Sequence, residues 1–325
     1  MITMVHGFAV YMYILPDDTA NGPDESIECL QRTLKHEEIR RGGTLPHTLC
    51  LQFDNCFREN KNSYMLAYLC WLVERGVFRR VYLSFHPVGH THNECDQCAS
   101  RISIATAHRD IYCRCDLTKI LEGCYTPTPV VETIRNVVSF KQAVNPDGAY
   151  TNRYPRSSTV RQFRNIKDTH FFLIHMDLGQ VVYRDKTTID QQSWSEPISP
   201  WKNGVSGLQP ENLVQKMSEV IKPEQLTIIK KTLEAASFRL GNGHHQQCVD
   251  ADYARICTPV NGGETIHWSL LAINVIAHIS FVGLTEADSA KNQSKTRMRE
   301  KTSPWSKQNW MTLKCLNCHR CPTLG

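Results

Sequence analysis

The sequence has no uninterrupted apolar run of the length that a membrane-spanning helix needs. Its longest mostly apolar stretch, Trp268 to Leu284, is short for a span and contains Asn274 and His278, so we expect a buried helix there. The apolar first 15 residues lack a basic flank and a small-residue cleavage site, which favours a buried strand over a signal peptide. We therefore expect an intracellular protein with no membrane partner.

Most of the chain also lacks an excess of charge of either sign. The formal net charge of +5 comes from 37 Lys and Arg residues against 32 Asp and Glu residues. Residues 289–325 hold eight of the basic residues and one acidic residue, which leaves 29 basic and 31 acidic residues in 1–288. The basic balance therefore predicts at most a phosphate-binding arm at the tail, and it carries no information about the core.

The 14 cysteines do not follow the pattern of a small disulfide-stapled protein. The chain is too long for that class and its cysteines are scattered, so we expect reduced thiols. Cys95 and Cys98 form a C-x-x-C pair, but three residues apart on a helix they are more typical of the core than of a zinc site. A cluster near the end lacks a second clear ligand pair, so we do not expect zinc as a cofactor. That cluster consists of Cys315, Cys318, His319 and Cys321.

Hydrophobic periodicity predicts an α/β fold in which strands and helices alternate over the first third of the chain. The predicted elements are a strand from Val5 to Leu15, a helix from Asp24 or Ser26 to Gly42, a strand from Thr48 to Phe53, a helix from Asn60 to Glu74, a strand from Val77 to Phe85, and a helix from Asn93 to Ala107.

Beyond residue 110 the pattern is less regular. A hairpin is predicted around 171–183, and two helices broken at Pro223 are predicted over 210–240. We therefore divide the chain into an α/β domain (1–110), an α+β extension with a hairpin and helices (111–245), and a basic, flexible tail (246–325).

Asp54 is the first candidate for chemistry, because it directly follows the apolar strand Thr48 to Phe53. In an alternating α/β sheet, polar side chains that do chemistry gather at the carboxyl ends of strands. A carboxylate at the end of a buried strand must be solvated, paired or metal-bound. The structural alternative is a helix cap, in which Asp54 or Asn55 accepts from the amides of the next helix.

One strand later, the sequence places His90, His92 and Asp96 in a second loop and the start of the next helix. Asp96 has an ordinary role available, since a carboxylate in the first turn of a helix is favoured by the helix dipole. The histidines are two residues apart, so on an extended segment both could face one metal or phosphate. Two acids at neighbouring ends could converge on divalent cations, which predicts Mg²⁺ or Mn²⁺ as cofactor.

Basic and amide side chains beside Asp54 are candidates for contacts with nucleic acid. Arg58 and Lys61 could meet backbone phosphates, although basic residues near a helix start are more often solvated surface. Asn55 and Asn62 complete the predicted nucleic-acid-binding set.

Four strings in this region are distinctive: LQFDNC, RENKN, SF-x-PVGHTH and the Asp96-Gln97 pair. On these strings, the segment from about Val5 to Ile104 resembles a domain of unknown function that recurs in transposon-derived genes and is similar to an RNase H-like integrase or transposase core. The resemblance implies a partial RNase H-like mixed sheet flanked by helices. It also implies that Asp54 is the second catalytic acid and that Asp96, with His92 in catalysis or His90 on the metal, is the third group.

The first acid of that family pattern has no candidate, because Asp17 and Asp18 lie after the strand that should correspond to the third one. Three hypotheses follow. The first is a transposase-like or integrase-like nuclease remnant that acts on DNA in the nucleus, with or without residual activity. The second is a non-catalytic module of transposon origin that binds nucleic acid or protein, and the third is a zinc-dependent scaffold. The oligomeric state is left open.

Overall fold

The structure is a computed structural model, and it describes part of the chain. The described residues are 1–15, 21–86, 94–107, 109, 111, 114–134, 136–145, 159–161, 163, 165–216 and 278–284.

The secondary structure alternates between strands and helices up to residue 106 and is more irregular afterwards. The strands are β1 (Ile2–Val5), β2 (Ala9–Ile14), β3 (Thr48–Phe53), β4 (Arg80–Phe85), β5 (Val130–Thr133), β6 (Val138–Ser139), β7 (Phe171–Asp177), β8 (Gln180–Lys186), β9 (Val214–Gln215) and β10 (His278–Leu284). The helices are α1 (Pro23–Arg40), α2 (Ser63–Glu74), α3 (Glu94–Thr106), α4 (Arg114–Gly123) and α5 (Phe140–Val144).

A mixed sheet of eight strands organises the fold, in the order β5-β2-β1-β10-β3-β4-β7-β8. β3 and β4 run parallel, with Thr48 opposite Arg80 and Phe53 opposite Phe85. β10 lies between β1 and β3, parallel to the first and antiparallel to the second. β6 and β9 form a separate antiparallel pair. The predicted mixed sheet flanked by helices is therefore confirmed, and its strands come from all three regions into which the sequence was divided.

The two faces of this sheet carry different helices. Along β1, Ile2 and Met4 belong to one buried cluster and Val5 belongs to the other, as the alternation of side chains in a strand requires. The face of Val5 packs against α1 and α2, where α2 is buried along nearly its whole length. The face of Ile2 and Met4 packs against α3 and α4.

The crossover helices α1 and α2 both run back across the sheet, from the side where the parallel strands β3 and β4 end to the side where they begin. We call the edge where β3 and β4 end, at Phe53 and Phe85, the carboxyl edge, and the edge where they begin, at Thr48 and Arg80, the amino edge. α1 and α2 both begin at the carboxyl edge and end at the amino edge, as parallel strands with helical crossovers demand. The β1–β2 turn also lies at the amino edge, since the Arg40 guanidinium at the end of α1 is 4.7 Å from the Phe8 ring.

The structure corrects the predicted amino-terminal strand and part of the helix predicted over Trp268 to Leu284. The amino-terminal strand is a hairpin of β1 and β2, because Gly7 adopts a positive φ of 78° that turns the chain back. The helix expected over Trp268 to Leu284 is wrong for 278–284, which form β10, and the rest of that segment lies outside the described residues.

Of the other predictions beyond residue 110, the hairpin is confirmed and the start of the helical segment is not. The hairpin around residues 171–183 is confirmed as β7 and β8. Pro210–Asn212 is a single 3-10 turn and Val214–Gln215 is a short strand, so the predicted helix does not start at Pro210. The rest of the two predicted helices, from 217 to 240, lies outside the described residues. In the described part of the chain, no helix combines the length and apolar character needed to cross a bilayer.

Candidate functional site at the carboxyl edge

The loop between β3 and α2, residues 54–62, is held by its own hydrogen bonds. The backbone N–H of Cys56 donates to Asp54 Oδ1 at 3.2 Å, which makes an Asx turn directly after the strand. The carbonyl of Cys56 then accepts from the N–H groups of Asn60 and Lys61, both at 2.9 Å. The loop therefore presents its side chains from a defined backbone rather than from a loose connection.

Asn62 ends this loop as the N-cap of α2. Its Oδ1 accepts from the N–H groups of Tyr64 and Met65 at 3.1 and 3.0 Å, and its Nδ2 donates to the Glu59 carbonyl at 3.0 Å. These contacts use the whole side chain in fixing the helix start. The helix cap considered for Asp54 or Asn55 is therefore supplied by Asn62. Asn62, which was predicted to bind nucleic acid, has this structural role.

Asp54 is half-buried, and its two carboxylate oxygens differ. Oδ1 accepts from Asn60 Nδ2 at 2.6 Å and from the Cys56 N–H. Oδ2 makes no hydrogen bond to any residue that the structure describes. The carboxylate is therefore oriented by one oxygen and open at the other, which suits a side chain that binds a further group.

Three other oxygens of the loop are buried without a hydrogen-bond partner among the described residues: Asn55 Oδ1, Glu59 Oε2 and Asn60 Oδ1. Burying such an atom unpaired costs about 1 to 3 kcal/mol, so folded proteins keep few of them. Their concentration within six consecutive residues next to Asp54 is characteristic of a site that a ligand completes.

Glu59 stands out among these residues, and the sequence analysis missed it. Its side chain is only 6% exposed. Burial, and secondly the negative charge of Asp54, raise the pKa of Glu59 to about 7. The only sequence signal was the position of Glu59 in the RENKN string five residues after a strand-ending aspartate, and a glutamate in a polar loop is ordinarily read as solvated.

Lys61 is placed differently from the prediction. Its side chain is fully buried, its Nζ donates to the Lys167 carbonyl at 2.9 Å, and it lies over the Phe85 ring at 5.2 Å. Burial lowers the pKa of Lys61 to about 8. The ammonium group thus ties the 165–169 turn to the site, and contact of Lys61 with phosphate stays a prediction.

Arg58 is the exposed basic group of the loop. Its Nε donates to the Asn21 carbonyl at 2.8 Å, which ties the loop to the start of α1. Of the four residues predicted to bind nucleic acid, Arg58 is the one whose charged group is presented to solvent.

The second half of the predicted site is only partly described. His90 and His92 lie outside the described residues. Asp96 lies in the first turn of α3, which packs on the face opposite to the one that α2 covers. Within the described ranges, no group of three or more His, Cys, Asp or Glu side chains is arranged to hold a metal. The convergence of Asp54 with Asp96 and a histidine therefore remains a prediction.

The C-x-x-C pair has the alternative role considered for it. Cys95 and Cys98 are completely buried between α3, β1 and β2. Burial raises the pKa of Cys98 to about 12, as is typical of a cysteine in the core. The cysteine and histidine cluster at 315–321 lies outside the described residues.

Comparison with known proteins gives one family. It is described as a domain of unknown function (DUF7869), and it matches residues 2–179, just over half of the chain. No curated protein and no solved structure matches this chain. The resemblance of the first third to a domain of unknown function is confirmed in that form.

Proposed function

From the premise that this chain belongs to the DUF7869 family, whose description names no activity, we propose that it is a transposase-like or integrase-like protein that acts on DNA phosphodiesters with a divalent metal at Asp54. The observation that supports this proposal best is the geometry of the 54–62 loop. Asp54 follows a buried parallel strand, has one oxygen oriented by Asn60, and leaves the other without a described partner. This is the position at which α/β sheets place their reacting groups.

The donor atoms around Asp54 fit a hard cation. The partnerless atoms of the loop are carboxylate and amide oxygens, which Mg²⁺ and Mn²⁺ prefer to softer ligands. Asp54 would hold the cation together with Asp96 and His90, and His92 would act in proton transfer. A bound divalent cation acidifies water and offsets charge on a phosphate. Arg58, exposed beside the loop, is suited to contact the DNA backbone.

The origin and location of the protein belong to the same proposal. The strings that resemble transposon-derived genes all lie in the matched region, and LQFDNC and RENKN form the carboxyl-edge loop and its preceding strand. A protein of this class would work in the nucleus, and the basic segment 289–325 would add phosphate contacts.

A labelled DNA duplex incubated with Mg²⁺ or Mn²⁺ tests the proposal. We expect the wild-type protein to cleave the duplex, and we expect Asp54→Asn to abolish cleavage because the variant loses the ligand charge but keeps the side-chain shape. The matched control is Asp190→Asn, an exposed aspartate in the loop after β8, which lies three strands away from β3 in the sheet, and it should cleave like the wild type. Equal cleavage by wild type and Asp54→Asn would contradict a catalytic role.

One observation favours the second hypothesis, a non-catalytic module. The resemblance places the first acid on a central strand of the sheet, and the position between β1 and β3 is taken by β10, whose residues HISFVGL include no Asp or Glu. Under this hypothesis neither protein cleaves DNA, but the wild type binds it. Binding that survives removal of 289–325 and weakens steeply with salt would place the contact in the folded core.

A further inference from the structure

Glu59 differs from the other acidic side chains of the loop region because no hydrogen bond or ion pair from the described residues offsets the cost of burying its carboxylate. It is 6% exposed, and Oε2 has no hydrogen-bond partner among the described residues. Among the described residues, the charged groups that act on it are Asp54 and Glu25, which are negative, and Arg58 and the terminal ammonium of Met1, which are positive.

Neither positive group neutralises Glu59 by contact. The Arg58 Nε donates to the Asn21 carbonyl, and the terminal ammonium donates to the Tyr13 carbonyl at 2.8 Å. A buried carboxylate in this setting would be strongly disfavoured unless another cation approached it. The fold therefore retains a buried acid for which the described residues provide no counterion.

Asn60, the next residue, contacts Asp54 directly and also has a partnerless oxygen. The side chain is fully buried, its Nδ2 donates to Asp54 Oδ1 at 2.6 Å, and its Oδ1 has no partner among the described residues. An amide needs both of its groups satisfied when it is buried. The unsatisfied atom is again an oxygen, which is the donor type that a hard cation needs.

We propose that Glu59 and Asn60 complete, with Asp54, an oxygen-lined site for one Mg²⁺ or Mn²⁺ ion inside the 54–62 loop. This inference rests on the proposed function, in which Asp54 binds a divalent cation, and it adds ligands that neither the sequence pattern nor the family resemblance indicated. Two carboxylates and an amide oxygen, with water in the remaining positions, form a ligand set that Mg²⁺ commonly accepts. The site is built on a short, internally hydrogen-bonded loop, so it does not require α3 to reach the same point.

Binding of Mn²⁺ to the full chain tests the inference without any DNA. The loss of the electron paramagnetic resonance signal of free Mn²⁺ measures the binding. We expect Glu59→Gln to weaken Mn²⁺ affinity about tenfold or more relative to the wild type. Glu122→Gln, which changes an exposed glutamate on α4, is the matched control and should bind as the wild type does. Mg²⁺ should displace the bound Mn²⁺.

A second variant guards against an effect on folding. Glu59→Asp keeps the charge and withdraws the carboxylate by one methylene, so it should also weaken binding. The thermal midpoint of Glu59→Gln without metal should be no lower than that of the wild type, because the substitution removes a buried charge.

The outcomes separate this inference from the function on which it rests. If Glu59→Gln and Glu59→Asp bind Mn²⁺ like the wild type while Asp54→Asn does not, the added ligands are wrong and the metal at Asp54 stands. If the wild type binds no Mn²⁺, the loop site is overturned. If Mn²⁺ binds as expected but no DNA is cleaved, the site stands and the proposed reaction is wrong.

Discussion

Glu37 and Glu59 are two buried glutamates at opposite edges of the same sheet, and they differ in their hydrogen-bond partners and in the direction in which their pKa is shifted. Glu37, near the end of α1 at the amino edge, is completely buried but accepts hydrogen bonds from Tyr11, Arg40 and Arg41. Burial alone would raise the pKa of Glu37, yet the hydrogen bonds from Arg40 and Tyr11 outweigh it and the pKa is lowered. Glu59, at the carboxyl edge, has a pKa raised to about 7.

The difference shows that burial of charge does not by itself mark a site. At the amino edge the buried charge is matched by the protein's own groups, which is the arrangement of a structural ion pair. At the carboxyl edge the loop is also ordered by hydrogen bonds, but three of its buried side-chain oxygens have no hydrogen-bond partner among the described residues. Such oxygens also occur elsewhere among the described residues, for example Glu25 Oε2 and Glu74 Oε2, so what marks the candidate site is that three of them lie within six consecutive residues.

The largest effect that would test this comparison is expected at Glu37. Glu37→Gln leaves two guanidinium groups without their carboxylate, and we expect it to lower the free energy of unfolding by about 2 to 3 kcal/mol, since both arginines remain partly in water. Urea unfolding would measure the loss. Glu38→Gln is the control: among the described residues its side chain pairs with Lys35 alone, at 3.0 Å on the surface, so a change within about 0.5 kcal/mol is expected. Similar losses in both variants would remove the distinction between a compensated buried acid and a surface one.

The pH dependence of stability should have opposite signs at the two edges. The pKa of Glu59 is raised from 4.5 to about 7, so between these values the folded protein holds a proton that the unfolded chain releases. The wild type should therefore lose stability relative to Glu59→Gln as the pH rises from about 4.5 to 7, with no difference below that window. Thermal midpoints measured in a metal chelator would show this trend.

For Glu37 the lowered pKa reverses the sign. Its stabilising contribution should be fully present above pH 4.5 and should disappear as the pH falls through the lower pKa of the folded state. The gap between wild type and Glu37→Gln should thus narrow on acidification. A gap that stays constant at both positions would show that neither carboxyl titrates differently in the folded state.

The smallest effect is expected at Asn62, which shares the loop with Glu59 but has all of its polar atoms satisfied. Asn62→Ala removes the N-cap of α2 and should cost about 1 kcal/mol. Because no titratable group is lost, the cost should be the same at pH 5 and pH 7.5 in unfolding experiments. A pH-dependent cost would mean that Asn62 is coupled to Glu59 and that the two roles within the loop are not separate.

Local patterns predicted the elements that local sequence controls. The strand from Thr48 to Phe53 was placed at its observed limits, because a short apolar run between Pro46 and Asp54 has few alternatives. The following helix was expected from Asn60 but begins at Ser63, since the polar residues before it form the loop that carries the candidate site. The amino-terminal strand was read as one element because the effect of Gly7 depends on its φ angle, which composition does not reveal.

The candidate site was predicted to the extent that it depends on chain order. Asp54 was found because the carboxyl end of a buried strand is visible as a pattern. The sequence does not single out Glu59, and it predicts a phosphate contact for Lys61, because both occur in a polar string, where burial is not expected. In the fold, Lys61 is covered by a segment that follows it by 106 residues.

The sequence by itself determined the alternation of strands and helices and the placement of Asp54 after β3, because periodicity and chain reversal act over a few neighbouring residues. The tertiary structure decided which acids are buried and which of them lack a counterion. Glu37 accepts from its helical neighbours Arg40 and Arg41, but its burial and its bond from Tyr11 come from the packing of β2 on α1. Glu59 meets no counterion among the described residues, because the segments packed around it exclude water without supplying a positive contact.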